Sequence, residues 1–201
     1  LAPSMNLMRN VLCGRNHEYY SEDPYLSGTI AAHYVMGIQS EGTAACVKHF
    51  AANSQETNRN ANDSRVSQRA LRELYLRTFE LAVRISNPWT VMTAYNSING
   101  KPTCEDISLT ETVLRGEWNY KGLVVSDWNA GSNATASMVA GNDMLQPGQD
   151  KQYHELLANA KNGRLPMAVL DRNVKRILQF IVKCHNFNNY TYSNEPDLKQ
   201  H

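Results

Sequence analysis

No charge of one sign dominates this chain. Across 201 residues, 20 Lys and Arg face 19 Asp and Glu, a formal net charge of +1. A field that would steer the protein toward nucleic acid or an anionic membrane is missing. No run approaches the roughly 18–20 apolar residues that a membrane helix needs. The opening Leu1-Ala2-Pro3-Ser4 has neither an initiator Met nor the basic-then-apolar order of a secretory signal. The compartment therefore stays open, with secreted and periplasmic locations among those allowed. Cysteine is scarce and scattered. Cys13, Cys46, Cys104 and Cys184 form no Cys-x-x-Cys, which argues against a zinc knot or a disulfide scaffold and predicts partly buried thiols. Gly-x-Gly-x-x-Gly and Gly-Lys-Ser/Thr loops are lacking, so nucleotide phosphate has no cradle. His17, His33, His154, His185 and His201 show no ligand spacing.

With 42% hydrophobic and 19% charged residues, the composition is that of a globular domain. Short apolar runs alternate with longer amphipathic stretches. Strands are expected over Leu1 to Leu7, Ala44 to Phe50, Trp89 to Tyr95, Gly122 to Val125 and Asp143 to Leu145. Helices are expected over Ser27 to Ser40, Ser67 to Ile85, Ser108 to Trp118, Ser132 to Ala140, Lys151 to Asn162 and Pro166 to Lys183. Ser27 can cap the first helix, with Ile30, Tyr34, Val35 and Ile38 on its buried face. Ser108 and Glu111 make a capping box for the third. Leu170, Val174, Ile177, Leu178 and Ile181 make the buried stripe of the last. Alternating strands and helices mean parallel βα units, and continuous apolar strands mean a sheet covered on both faces. About five strands are countable where a closed barrel needs eight. Either the sheet is open or about three strands lie elsewhere, and the abrupt start favours the second. The polar stretch from 186 to 201 has no period and reads as a linker.

Unusual polar residues cluster just after the strands, where parallel sheets bind ligands. Asp127 follows the run Leu123-Val124-Val125 and precedes Trp128. A carboxylate at a strand mouth can attack or stabilise an anomeric carbon, and a Trp face can stack on a pyranose. On its own the pair reads somewhat more readily as a helix N-cap beside a packed Trp. Lys48-His49 offers two adjacent donors for hydroxyls or an anion, or else a solvated strand end. Arg15 and Glu18 sit in a charged loop followed by Asp23-Pro24, a turn signal.

Taken together, the residues resemble glycoside hydrolase family 3, the β-glucosidases and β-xylosidases. The resemblance rests on the stretch Cys13-Gly14-Arg15-Asn16-His17-Glu18-Tyr19-Tyr20-Ser21-Glu22-Asp23-Pro24 and on Val47-Lys48-His49-Phe50-Ala51-Ala52-Asn53. It rests also on Val91-Met92-Thr93-Ala94-Tyr95-Asn96 with Asn99-Gly100, and on Val124-Val125-Ser126-Asp127-Trp128. Four motifs in register cover nearly the whole chain.

The resemblance implies an α/β fold, the second part of a (β/α)8 TIM-like barrel incomplete in this chain, over residues 1–185. Residues 186–201 would lead toward an absent α/β sandwich domain. It implies a retaining exo-acting β-glycosidase that hydrolyses terminal β-D-glucosyl residues of a β-linked glucoside or oligosaccharide. Asp127 would be the nucleophile. Arg15, Lys48 and His49 would hold sugar hydroxyls, Met92 and Tyr95 would line the pocket, and Trp128 would pack on the sugar. No metal and no organic cofactor is implied. The stretch Ala51-Ala52-Asn53 departs from the Pro-Gly-His-Gly loop of the family's N-acetylhexosaminidases, which argues against that branch. The general acid/base, normally a Glu of the second domain, and an Asp of the missing barrel segment have no counterpart here. They would come from the same or another chain, and the isolated fragment would be inactive. The rival readings are a β-xylosidase and a non-catalytic carbohydrate-binding remnant.

Overall fold

The computed structural model describes residues 1–184, so the expected linker at 186–201 lies outside the described residues. Within them the chain runs α1 (Pro24–Ser40), β1 (Cys46–Phe50), β2 (Asp63–Ser64), α2 (68–86), β3 (Thr90–Thr93), β4 (Ser97–Ile98) and β5 (Lys101–Pro102). It continues with α3 (Ser108–Glu117), β6 (Leu123–Val125), α4 (Ala134–Ala140), α5 (Asp150–Lys161) and α6 (Met167–Lys183).

The main sheet has the order β1-β3-β6, all parallel, with Val47 opposite Val91 and Val91 opposite Val124. Single bridges extend it on both sides, Ser4 to Lys48 and Met144 to Val125. Five strand positions thus follow one another in chain order, each joined to the next through a helix. This is an α/β arrangement, part of a parallel βα barrel. The outer two of the five expected strands shrink to these bridges. On the near side Cys46 N and Lys48 N donate to the Ala2 and Pro3 carbonyls and Met5 N to the Lys48 carbonyl, a set too irregular for more than one bridge. On the far side Asp143 uses its side chain, which accepts from Val124 N at 2.8 Å, where a longer ladder would have run.

Period-2 alternation buries both sheet faces. Val47, Val91 and Val124 join Val35, Phe79, Leu114 and Trp118 beneath the helices, where Phe50 meets Phe79 and Trp118 edge-on. The alternate residues Cys46, Met92, Leu123 and Val125 form a second cluster covered by Ile177 and Phe180 of α6.

Several helices differ from the expected ones. α1 begins at Pro24, and its cap is Asp23, which accepts from Leu26 N at 2.6 Å, so Asp-Pro starts a helix rather than a turn. Its buried face is Ser27, Gly28, Ala31, Ala32 and Val35, while Ile30 and Tyr34 stay 38% and 49% exposed. The small face wins because α1 lies close against α2. A Cβ on Gly28 would stand 2.8 Å from both Leu81 Cβ and the Thr78 carbonyl oxygen. In α2 the π-wound turn Leu71–Tyr75 rotates the apolar face, burying Leu76 and leaving Leu74 exposed. In α3 the capping box does not form. Asp106 accepts from Ser108 N and its hydroxyl at 3.0 and 2.6 Å. Glu111 instead faces Arg172 at 3.3 Å and Arg176 at 3.5 Å. α6 is turned by polar anchors, Asn173 to the Asn142 carbonyl and Arg176 to Asp143 at 3.0 Å each. Val174, Leu178 and Ile181 of the expected buried stripe are therefore exposed. A small second sheet, β2-β4-β5, was not expected. Its two-residue strands are too short to show a period, although Asn99-Gly100, with both φ positive, is a hairpin signal.

Candidate active site

Most of the site residues are delivered by the ends of strands. β6 ends at Val125, and Ser126-Asp127-Trp128 follows into the loop before α4. β3 brings Met92 on its inward face, with Tyr95 just beyond its end. β1 carries Lys48 and His49. Pairing with β3 is irregular between Val47 and Phe50, and adjacent Lys48 and His49 both reach the cavity instead of pointing to opposite faces. Arg15 comes from the position capping the single helical turn ahead of α1 (Asn16–Glu18).

All seven residues singled out in the sequence, Arg15, Lys48, His49, Met92, Tyr95, Asp127 and Trp128, line one cavity of about 330 Å³. Arg59 and Leu1 complete the lining. Arg59 was missed. It lies in an aperiodic polar loop and stacks over the Tyr95 ring at 4.4 Å from its centroid. The spacing Glu56-x-x-Arg59, an ion pair at 2.9 Å, is the one sequence signal that pointed to it. A larger groove of about 720 Å³ lies under α6, against Trp89, Gly122 and Leu123 at the opposite ends of the strands. Its walls are mostly apolar, and the titratable cluster is in the smaller cavity.

The two oxygens of Asp127 have different surroundings. Oδ1 accepts from Trp128 N at 2.7 Å. Oδ2 is buried and has no hydrogen-bond partner of good geometry among the described residues. His49 Nε2 is 3.6 Å from it. Arg15 Nη2 stands 2.9 Å from that same His49 nitrogen, and a guanidinium only donates, so Nε2 accepts and the ring proton is assigned to Nδ1. Two acceptors then face each other, and His49 leaves Oδ2 free.

Electrostatics agrees with this division. Burial pulls His49 down to about 2, helped by Arg15, Lys48 and Arg59, so the imidazole is neutral at working pH. Burial pushes the Asp127 carboxyl above its ordinary value against the Trp128 N–H, Arg15, Tyr95 and Arg59. Tyr95 is itself raised by burial and by the Asp127 charge. A buried carboxylate oxygen without a partner costs about 1–3 kcal/mol, and here it opens onto a cavity walled by cations and aromatic rings. The arrangement can hold a polyhydroxylated ring and set a carboxylate oxygen against it.

Residues 1–180 match the glycosyl hydrolase family 3 N-terminal domain, and the chain belongs to that family. It is 44% identical to β-glucosidase B of Emericella nidulans across 100% of this chain and 24% of that protein. It is 42% identical to an exo-α-(1→6)-L-arabinopyranosidase of Bifidobacterium breve, across 91% of this chain and 24% of that one. Among solved structures it resembles β-glucosidase 3B of Thermotoga neapolitana in complex with glucose. The TM-score there is 0.96 with 52% identity, covering 100% of this chain and 29% of that chain. The chain thus spans about a quarter of the length of the curated relatives it matches.

Proposed function

We propose that this chain carries the nucleophile and one sugar-binding wall of a retaining, exo-acting β-glycosidase that releases terminal β-D-glucosyl residues. The observation that carries the reading is Asp127 itself, one oxygen fixed by a backbone N–H and the other buried and unpartnered at the cavity. Oδ2 attacks the anomeric carbon as the glycosidic C–O bond breaks, giving a covalent glycosyl-enzyme. Arg15, Lys48, neutral His49 and Arg59 face the ring hydroxyls, and Trp128 offers its face to the apolar side of the sugar. Met92 and Tyr95 close the pocket beside the carboxylate.

The second carboxyl group comes from outside these residues. Retaining chemistry needs two, roughly 5–5.5 Å apart, and Asp127 is the one carboxylate that lines the cavity. An external acid protonates the leaving oxygen, then as a base draws the proton from water, which returns C1 to its starting configuration. This fits residues 1–185 as part of a barrel domain, with the remaining barrel strands and a second domain supplied by the same or another chain. Among the described residues no helix is long and apolar enough to cross a membrane.

Proton NMR of the full polypeptide acting on an aryl β-glucoside tests the reading. β-Glucose is expected as the first-formed anomer, and α-glucose first would contradict retention. The 42% identity to an arabinopyranosidase keeps a pentopyranoside as the rival sugar. Comparing kcat/KM on aryl β-glucoside, β-xyloside and α-L-arabinopyranoside decides it, with the glucoside expected to lead.

A further inference from the structure

Two carboxylates next to the cavity play no part in the steps above. Arg15, Lys48 and Arg59 line the cavity as three cations against one carboxylate, Asp127. Glu18 and Glu56 do not line it, yet each grips cations that do. Glu18 Oε1 accepts from Arg15 Nε. Its Oε2 accepts from the Ser4 hydroxyl at 2.5 Å and lies 4.0 Å from Lys48 Nζ. Ser4 is buried and bridged to Lys48 through the backbone, so the sheet itself holds Glu18 in place. Glu56 accepts from Arg59 Nη1 at 2.9 Å on Oε2, and its buried Oε1 lies 3.8 Å from Arg15 Nη1. With both included, three positive charges meet three negative ones.

We propose that Glu18 is a positioning residue for the sugar-binding wall, fixing the directions of Arg15 and Lys48 and offsetting their charge so that they serve the substrate rather than Asp127. The inference rests on the reading of this cavity as the sugar site. Long cationic stems are flexible, and a carboxylate that pairs with one and sits beside the other selects one geometry for both. Burial acts to raise Glu18, but bonds from Ser4 and Arg15 and the charges of Arg15 and Lys48 outweigh it, so its carboxyl lies below the ordinary value and stays ionised. The groups facing Glu18 are Ser4, Arg15 and Lys48. Those facing Asp127 are Arg15, His49, Arg59 and Tyr95, with the Trp128 N–H.

Removing the Glu18 charge leaves Arg15 and Lys48 less compensated. The potential at Asp127 becomes more positive, its ionised form is favoured, and the acidic limb of activity moves to lower pH. A merely structural loss lowers activity without moving that limb.

The test is Glu18→Gln in the full polypeptide, with kcat, KM and the pH profile of kcat/KM on an aryl β-glucoside, and a thermal melt. KM is expected to rise on the order of 10–100-fold, the size of losing a hydrogen bond to a charged group, with kcat changed less and the acidic limb shifted down. An unchanged KM, or a limb that stays put in a folded variant, overturns the proposal. Should Glu18→Gln fail to fold, Ser4→Ala removes the tether and keeps the charge. It is expected to raise KM severalfold with the limb in place, and an unchanged KM overturns the proposal. Failure of the glycosidase reading is told apart because it shows in the wild type, as α-glucose first or no turnover.

Discussion

At Asp127 burial and hydrogen bonding pull in opposite directions, and burial wins. In the proposed role the group must be ionised to attack, so activity is expected to fall as pH drops through its raised value. The acidic limb of kcat/KM is expected above the ordinary aspartate value of 3.8, and a limb at or below it would contradict the placement. His49 contributes no limb in the working range, because burial and three neighbouring cations hold it neutral. Lys48-His49, Tyr95 and Asp127-Trp128 were legible in the sequence because they stand at or just after buried apolar runs, the position a parallel sheet reserves for ligands, whereas Arg15 and Met92 were legible through the family resemblance. What the sequence hid was orientation. Nothing in Lys48-His49 announces a break in strand register that lets both side chains reach one cavity. Arg59, in a loop without period, carries no comparable signal.

Elements were readable in number and type and less so in their faces. A helix buries whichever side its neighbour fits, and in α1 that is the small side around Gly28, although Ile30 and Tyr34 have the larger apolar area. In α6 polar anchoring overrides the apolar stripe. Asp143, buried beneath the sheet, takes Arg115 Nη2 at 2.7 Å and Arg176 Nη1 at 3.0 Å, and Glu111 draws Arg172 and Arg176 to α3. Burial raises the Asp143 carboxyl against these two arginines. Asp143→Asn removes one member of a buried ion cluster and leaves Arg115 with only the longer Glu111 contact at 3.7 Å, a loss of up to about 3–5 kcal/mol. A clear fall in Tm by circular dichroism or calorimetry is expected. An unchanged Tm would mean that Ile177, Phe180, Asn173 and the Glu111 pairs hold α6 without the Asp143 charge. Loss of this anchor should leave the Asp127 end of the strands less affected than the α6 end.

Among the described residues, the sheet is finished on its helix side and open at its edges. Ser4 and Met144 mark edges with one bridge each, and large apolar side chains stand exposed on α1 and α6. Unpaired edges and apolar faces of this kind invite association. The 201 residues produced alone are therefore expected to self-associate in size-exclusion chromatography and to hydrolyse cellobiose negligibly, since one of two carboxyl groups is absent from the cavity. A well-behaved monomer that turns over cellobiose would require a second carboxylate here, and Glu18 and Glu56, tied to Arg15 and Arg59, are the nearest to the cavity. The parallel βα plan was visible from the alternation of runs. Its open edges were foreseeable from the count of five runs, but the shortness of the outermost strands was not, because on the far side the Asp143 side chain takes the Val124 N–H that a ladder would have used.

Covalent trapping tests the role of Asp127 most directly. A 2-deoxy-2-fluoro-β-glucoside with a dinitrophenyl leaving group slows both steps, and the good leaving group spares the first from needing the acid, so the glycosyl-enzyme accumulates. Peptide mass mapping of the inactivated full polypeptide is predicted to find the fluoroglucosyl group on Asp127, with no label in Asp127→Ala. A label on any other carboxylate, or persistent labelling of Asp127→Ala, would contradict the assignment.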